Sequence, residues 1–228
     1  TYAGVHDELR KVFARTPDAK RLGYKAGDFS YNTGRLRCPV CDGTGTVSLD
    51  VQFLPDVDIP CPECRGSRYA KPAGRIACTV GNGRSFTLPQ VMEADVAHAA
   101  ELCAGFKSVA PRLATLSDLG LGYLTLGEAT PSLSGGEAQK IAIARAFFRR
   151  AAVTVMDEPS AALDPVAEYE LNTHIRETLE GDTVIFISHR LSTTRDADEI
   201  FVLDGGSVAE HGSHDALMRR GGIYASLF

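Results

Sequence analysis

Four cysteines, a serine–glycine turn and a pair of acids carry the chemistry this sequence offers. Cys38-Pro-Val-Cys41 and Cys61-Pro-Glu-Cys64 are Cys-x-x-Cys pairs separated by 19 residues. Two thiolates three positions apart on a tight turn can hold one ion, and a second such turn completes a tetrahedron. Gly43, Gly45 and Gly66 allow the backbone to fold around that ion. The spacing predicts a structural zinc centre of Cys38, Cys41, Cys61 and Cys64, with no open position for catalysis. Cys78 and Cys103 have no partner at ligand spacing and read as buried thiols.

A second group handles anions. Ser134-Gly135-Gly136-Glu137 opens a helical pattern in which Ile141, Ala144 and Phe148 recur. Ser134 and Glu137 have the spacing of a capping box. Glycine in a helix's first turn costs stability relative to alanine, so a bare backbone there suits a bound anion. Further on, the apolar run Ala151–Met156 predicts a buried parallel strand ending in Asp157-Glu158. Asp157 is placed to hold magnesium, and Glu158 to polarise the water attacking a γ-phosphate. Ser160–Asp164 reads as a turn into a helix. Thr183–Ser188 predicts a second buried strand, closed by His189 at its carboxyl end, where it can meet phosphate.

Other elements must position these groups. Val47–Phe53 alternates apolar and polar and predicts a half-buried strand between the cysteine pairs. Met92–Val109 reads as one long helix between the cysteine module and Ser134. Glu199–Asp204, Gly205-Gly206 and Ser207–Glu210 form a hairpin pattern. The expected class is α/β, a parallel sheet flanked by helices.

Composition bounds the function. The 228 residues are 44% apolar, enough for a sizeable core, and the net charge of −5 excludes a protein that coats nucleic acid with its whole surface. Residues 1–37 nevertheless hold eight Lys/Arg against four Asp/Glu, which leaves −9 for the remainder. That basic front could touch a phosphate backbone. No apolar run approaches the roughly 18 residues of a membrane span. The opening TYAGVHDELRKVF lacks the apolar segment of a secretion signal, so the expected compartment is the cytoplasm, where thiols stay reduced.

In this order the pieces resemble the ATP-binding cassette (ABC) ATPases. Leu133–Glu137 resembles their signature motif, Val153–Glu158 the Walker B strand with its catalytic glutamate, Ser160–Asp164 the D-loop, and His189 the switch histidine. Thr1–Arg10, Phe29–Asn32, the cysteine pairs, Phe53–Asp56 and Leu126–Gln139 resemble the second ATPase half of the UvrA family over about residues 1–140. Residues 144–228, with Ile187–Thr193 and the tail from Glu210, are similar to the nucleotide-binding domain of ABC exporters.

The resemblance implies a P-loop NTPase-like lobe with a helical signature region and an inserted four-cysteine zinc module. It divides the chain into a basic segment at 1–33, a zinc module at 34–75, a helical signature subdomain at 76–132 and the ATPase lobe at 133–228. It gives Ser134, Gly135, Gly136, Glu137, Asp157 and Asp164 to nucleotide and magnesium, and Glu158 and His189 to catalysis. The implied partners are DNA, a second ABC cassette and a UvrB-like repair protein, and the implied role is damage recognition in nucleotide excision repair. The alternatives are an exporter domain docked on a membrane subunit, or a non-catalytic zinc-containing fragment. The P-loop itself requires Gly-Lys-Ser/Thr, and no Gly-Lys occurs here. ATP hydrolysis is therefore expected only at a composite site whose P-loop comes from a further segment or a partner.

Overall fold

A computed structural model describes residues 4–49, 57–81, 83–149 and 151–227. The chain divides into two compact units, Thr1–Phe148 and Arg149–Phe228. The helix expected to open the ATPase lobe at residue 133 thus falls in the first unit.

The first unit begins with α1 (Val5–Ala14). Val5, Leu9 and Phe13 recur every fourth residue and are buried together, while Asp7 and Glu8 suit the positive end of the helix dipole. Thr16 caps α2 (Pro17–Arg21) by accepting the Ala19 amide at 3.3 Å. Phe13 meets Phe29 and Phe86 at centroid distances of 6.2 and 6.1 Å, forming the aromatic centre of this unit. β1 (Thr46–Leu49) and β2 (Val57–Pro60) pair antiparallel between the cysteine turns. Of the expected strand Val47–Phe53, the part beyond Leu49 lies outside the described residues. A second hairpin follows, β3 (Ala77–Thr79) with β4 (Ser85–Thr87), then α3 (Leu88–Glu93), α4 (Val96–Leu102), α5 (Ala110–Leu116) and α6 (Gly135–Arg149).

The single helix expected over Met92–Val109 is instead broken. Ala94 and Asp95 are extended, and the Asp95 carboxylate accepts the His98 amide at 2.7 Å, starting α4 afresh. The break has a use. Ala94 and Asp95 pair with residues 124–126, and the Gly127 amide donates to Met92 O at 2.8 Å. The bridged segment fixes the turn that leads into α6.

His6, on the buried face of α1, has Nε2 2.6 Å from the Tyr69 hydroxyl, which donates to Phe29 O at 2.7 Å. The phenolic proton is committed to that carbonyl, so the imidazole Nε2–H donates to the Tyr69 oxygen. Burial, reinforced by the nearby Arg10 and Arg68 charges, pushes the His6 pKa down to about 3. A base whose folded pKa lies below its unfolded value of 6.5 contributes stability that is full above pH 6.5 and lost as pH falls toward 3. We expect wild type to lose about 2 kcal/mol more than His6→Gln between pH 7 and 5. Urea melts of both proteins measure the difference, and parallel pH profiles would contradict it.

The second unit contains β5 (Val153–Asp157), α7 (Pro165–Thr178), β6 (Thr183–Ile187), α8 (Leu191–Thr194), β7 (Ile200–Asp204), β8 (Ser207–Gly212), α9 (His214–Arg220) and α10 (Ile223–Ser226). β5 and β6 are parallel, with Val153 opposite Thr183 and Asp157 opposite Ile187. The β7–β8 hairpin turns on Gly205 and Gly206 at φ 55° and 79°, the left-handed pair this connection needs. Ile200, Leu217 and Tyr224 form a small core beneath it.

Both parallel strands were expected to be buried, and they are not. Met156 and Thr154 are covered, but Val153, Val155, Ile185 and Ile187 share the opposite, exposed face. Only two strands pair here among the described residues, and nothing described within the second unit covers that face. No described helix is long and apolar enough to cross a membrane.

Candidate functional site

The four cysteines expected at one centre converge. Their Sγ atoms all lie within 4.8 Å of one another, with Cys38–Cys61 at 3.9 Å and Cys41–Cys64 at 3.6 Å. A tetrahedral ion with metal–sulfur bonds of about 2.3 Å requires sulfurs about 3.8 Å apart, so the donor set fits. The turns prepare for negative charge. The Gly45 amide donates to Cys41 Sγ at 3.3 Å. Burial alone would raise the Cys41 thiol, but the Gly45 and Gly43 amides and the Cys64 thiol outweigh it and bring its pKa down to about 7. Burial dominates at Cys64, pushed up to about 12. The four cysteines form a buried cluster of their own, with Val47 packed against it. Cys78 and Cys103 are buried, free and away from this centre, as expected.

At the head of α6 the capping box is formed. The Glu137 amide donates to Ser134 Oγ at 3.2 Å, and the Ser134 amide donates to Glu137 Oε2 at 2.6 Å. The Tyr123 hydroxyl, unforeseen in the sequence, donates to the other oxygen of Glu137. These bonds, Tyr123 foremost, hold the Glu137 carboxyl below its ordinary pKa. Among the described residues the Gly135 and Gly136 amides have no acceptor. An anion could therefore meet two free N–H groups at a helix N-terminus.

The second unit gathers the acids and the histidine. Asp157 ends β5, exposed. Glu158 adopts φ 44° and its amide donates to Ile187 O at 2.8 Å, continuing the parallel ladder by one residue. A left-handed backbone at a glutamate is strained, and such strain concentrates at functional positions. It aims the Glu158 side chain at His189, whose Nδ1 lies 2.7 Å from Glu158 Oε1. Asp164 caps α7, accepting the Val166 and Ala167 amides at 3.0 Å each.

A tie that sequence reading missed lies behind this pair. Buried Glu168 accepts from Ser160 Oγ at 3.0 Å, from Thr193 Oγ1 at 3.1 Å and from the Arg190 guanidinium. Burial would raise the Glu168 carboxyl, but these donors, Arg190 first, hold it below its ordinary range. It joins the turn after Glu158 to the turn after His189. No local motif signals it, because Glu168 lies mid-pattern on α7.

Comparison with known proteins follows the same lines. The family described as ABC transporter matches residues 76–161. UvrABC system protein A of Thermus thermophilus is 36% identical over 97% of this chain, and that of Micrococcus luteus 37% identical over 91%. The crystal structure of UvrA2 from Deinococcus radiodurans superposes with a TM-score of 0.79, at 34% identity over 99% of this chain and 28% of that one. A bacterial Atm1-family ABC exporter with ATP bound covers 64% of this chain at 30% identity, with a TM-score of 0.48. The likeness to UvrA continues past residue 140, over nearly the whole chain. The chain spans about a quarter of the length of the curated relatives it matches. From its cysteine centre through α6 to the Asp157–Glu158 strand and His189, it is homologous to UvrABC system protein A.

Proposed function

We propose that the chain forms the signature and hydrolytic part of a UvrA-like ABC ATPase that recognises DNA damage in nucleotide excision repair. The reading rests on one observation above the others: His189 Nδ1 stands 2.7 Å from Glu158 Oε1, beside Asp157 at the carboxyl end of a parallel strand pair. Asp157 would hold magnesium, which would supply positive charge at the transferred phosphoryl group. Glu158 orients the attacking water and draws off its proton. His189 keeps the glutamate in place and faces the γ-phosphate. Gly135 and Gly136 lend their amides, under the Ser134–Glu137 cap, to a nucleotide seated on another P-loop. Asp164 serves the site by shaping the turn after Glu158.

The P-loop comes from a further segment or a second cassette. The exposed face of Val153, Val155, Ile185 and Ile187 supports this, since parallel sheets are covered on both faces. The test is complementation. The purified chain alone should hydrolyse ATP negligibly, and supplying the P-loop-bearing part of a UvrA relative should restore turnover. Turnover by the chain alone at ordinary cassette rates would sink the composite site.

Zinc is the metal we assign to the four thiols, in a structural role and a cytoplasmic setting that keeps the thiols reduced. DNA and a UvrB-like protein are the proposed partners. On the basic front, Arg10 pairs with Asp7, Lys11 with Glu8, Arg21 with Asp18, Arg35 with Asp28 and Arg37 with Asp42. Arg15, Lys20 and Lys25 have no ion pair among the described residues and are the better phosphate contacts. Replacing these three with alanine should lower the slope of log affinity against log salt by up to about 3. An unchanged slope in DNA titrations would remove this face from the interface.

A further inference from the structure

The two cysteine turns are near repeats, and the place where they differ carries an inference. The first reads Cys-x-x-Cys-x-Gly-x-Gly from Cys38 to Gly45, and the second reads Cys-x-x-Cys-x-Gly-x-Arg from Cys61 to Arg68. Their backbones match position by position. Asp42 and Arg65 follow the second cysteine at φ 51° and 52°, Gly43 and Gly66 stand at 83° and 94°, and Gly45 and Arg68 at 85° and 70°. The Gly45 amide serves Cys41 as the Arg68 amide serves Cys64. The second turn therefore sets an arginine in a left-handed conformation where its twin uses glycine. Arginine rarely adopts that conformation, so its side chain must gain something there.

The side chain leaves the cysteine module altogether. Arg68 Nε donates to Gly127 O at 3.0 Å, 59 residues along the chain, and its guanidinium lies 4.8 Å from the Tyr31 ring centroid. The stem passes Gly45, where an added Cβ would stand 3.2 Å from Arg68 Cγ. The Arg68 carbonyl also accepts the Cys38 amide at 2.9 Å. One residue thus touches both cysteine turns and the peptide after Gly127. Gly127 is already held by Met92 O, and a Cβ there would come within 2.8 Å of that oxygen. From Gly127 the chain runs through a compact turn, in which Ser132 Oγ bonds Glu128 Oε1 at 2.5 Å, straight to Ser134 and the cap of α6.

We propose that Arg68 is a positioning residue: it latches the four-thiol centre to the turn that sets the α6 N-terminus, so that metal occupancy governs how firmly the Gly135–Gly136 amides are held. The inference rests on the reading of the α6 head as a nucleotide contact. It is tested without nucleotide, so failure of the latch and failure of that reading are separable.

The experiment is amide hydrogen exchange across residues 126–137, with zinc bound and after chelation, in wild type, Arg68→Gly and Arg68→Lys. Glycine suits φ 70° and is what the twin turn carries, so Arg68→Gly should keep one zinc per chain. Chelation of wild type is expected to speed exchange in 126–137 at least about tenfold. Arg68→Gly should exchange at that faster rate with zinc still bound and respond little to chelation. Arg68→Lys keeps a donor within reach of Gly127 O and should retain most of the coupling. The proposal is overturned if Arg68→Gly shows wild-type protection and a wild-type response to zinc. It is equally overturned if Arg68→Gly loses its zinc, because the arginine then serves the centre alone.

Discussion

Cys61→Ser is expected to strip the chain of its metal and unfold residues 38–68 while the rest of the first unit stays folded. The hairpin strands of that segment are four residues long and mostly exposed, and its buried apolar side chains among the described residues are the four cysteines, with Val47 packed against them. So small an apolar cluster cannot offset the conformational entropy of ordering the roughly two dozen described residues around it. Structural zinc typically supplies about 10–16 kcal/mol of apparent binding free energy, the largest single stabilising contribution here. Serine offers a weak, protonated oxygen in place of a fully buried thiolate, which leaves three ligands and an open position. The Leu9, Phe13, Phe29 and Phe86 core does not depend on the ion, so α1 should keep its amide protection. Elemental analysis should read one zinc per chain in wild type and none in Cys61→Ser, and limited proteolysis should cut within Cys38–Gly45 and Cys61–Arg68 only in the variant. A variant that retains stoichiometric zinc, or a wild type that takes up none when metal is supplied, would contradict the assignment.

What could be read from sequence, and what could not, follows from the range of the interactions. The cysteine turns, the Ser134–Glu137 box and the Gly205-Gly206 hairpin are local. Each depends on residues a few positions apart, and each is present. Glu158 and His189 are 31 residues apart, yet the ends of two adjacent parallel strands bring them together, which the βαβ pattern made legible. The expected helix over Met92–Val109 failed for a long-range reason. Its apolar spacing is helical on both sides of Asp95; the pairing of Ala94 and Asp95 with residues 124–126 breaks it there, and turns after Leu102 end it short of Val109. The Glu168 tie was invisible for the same reason, since its donors lie 8 to 25 residues away and none belongs to a motif. Burial of β5 and β6 was misjudged because an apolar run records that a strand is meant to be covered, not by what. Arg68 is the exception. Its signal, an arginine where the sister turn has glycine, stood in the sequence and gained meaning only once both residues proved left-handed.

In the enzyme completed by a P-loop, Glu158→Gln should slow ATP turnover by about 10²–10⁴-fold while leaving ATP binding nearly intact. The glutamate is the only carboxylate placed to act with His189 among the described residues, through Oε1 at 2.7 Å from Nδ1. Glutamine keeps the shape and one acceptor oxygen, so His189 keeps a partner, but the amide cannot take a proton from water. The loss therefore falls on the chemical step, and KM should move far less than kcat. Asp157, one residue earlier, should separate from it. Asp157→Asn weakens magnesium and raises the metal concentration needed for half-maximal rate, an effect that excess magnesium partly rescues, whereas Glu158→Gln gains nothing from added metal. Because the strained φ of 44° belongs to the backbone at Glu158, Glu158→Gln inherits it, and the folded structure should be unchanged by circular dichroism. Multiple-turnover and nucleotide-binding assays on the complemented protein decide the matter. Near-normal turnover in Glu158→Gln would move the catalytic base elsewhere, and loss of nucleotide binding would make the residue a ligand rather than a base.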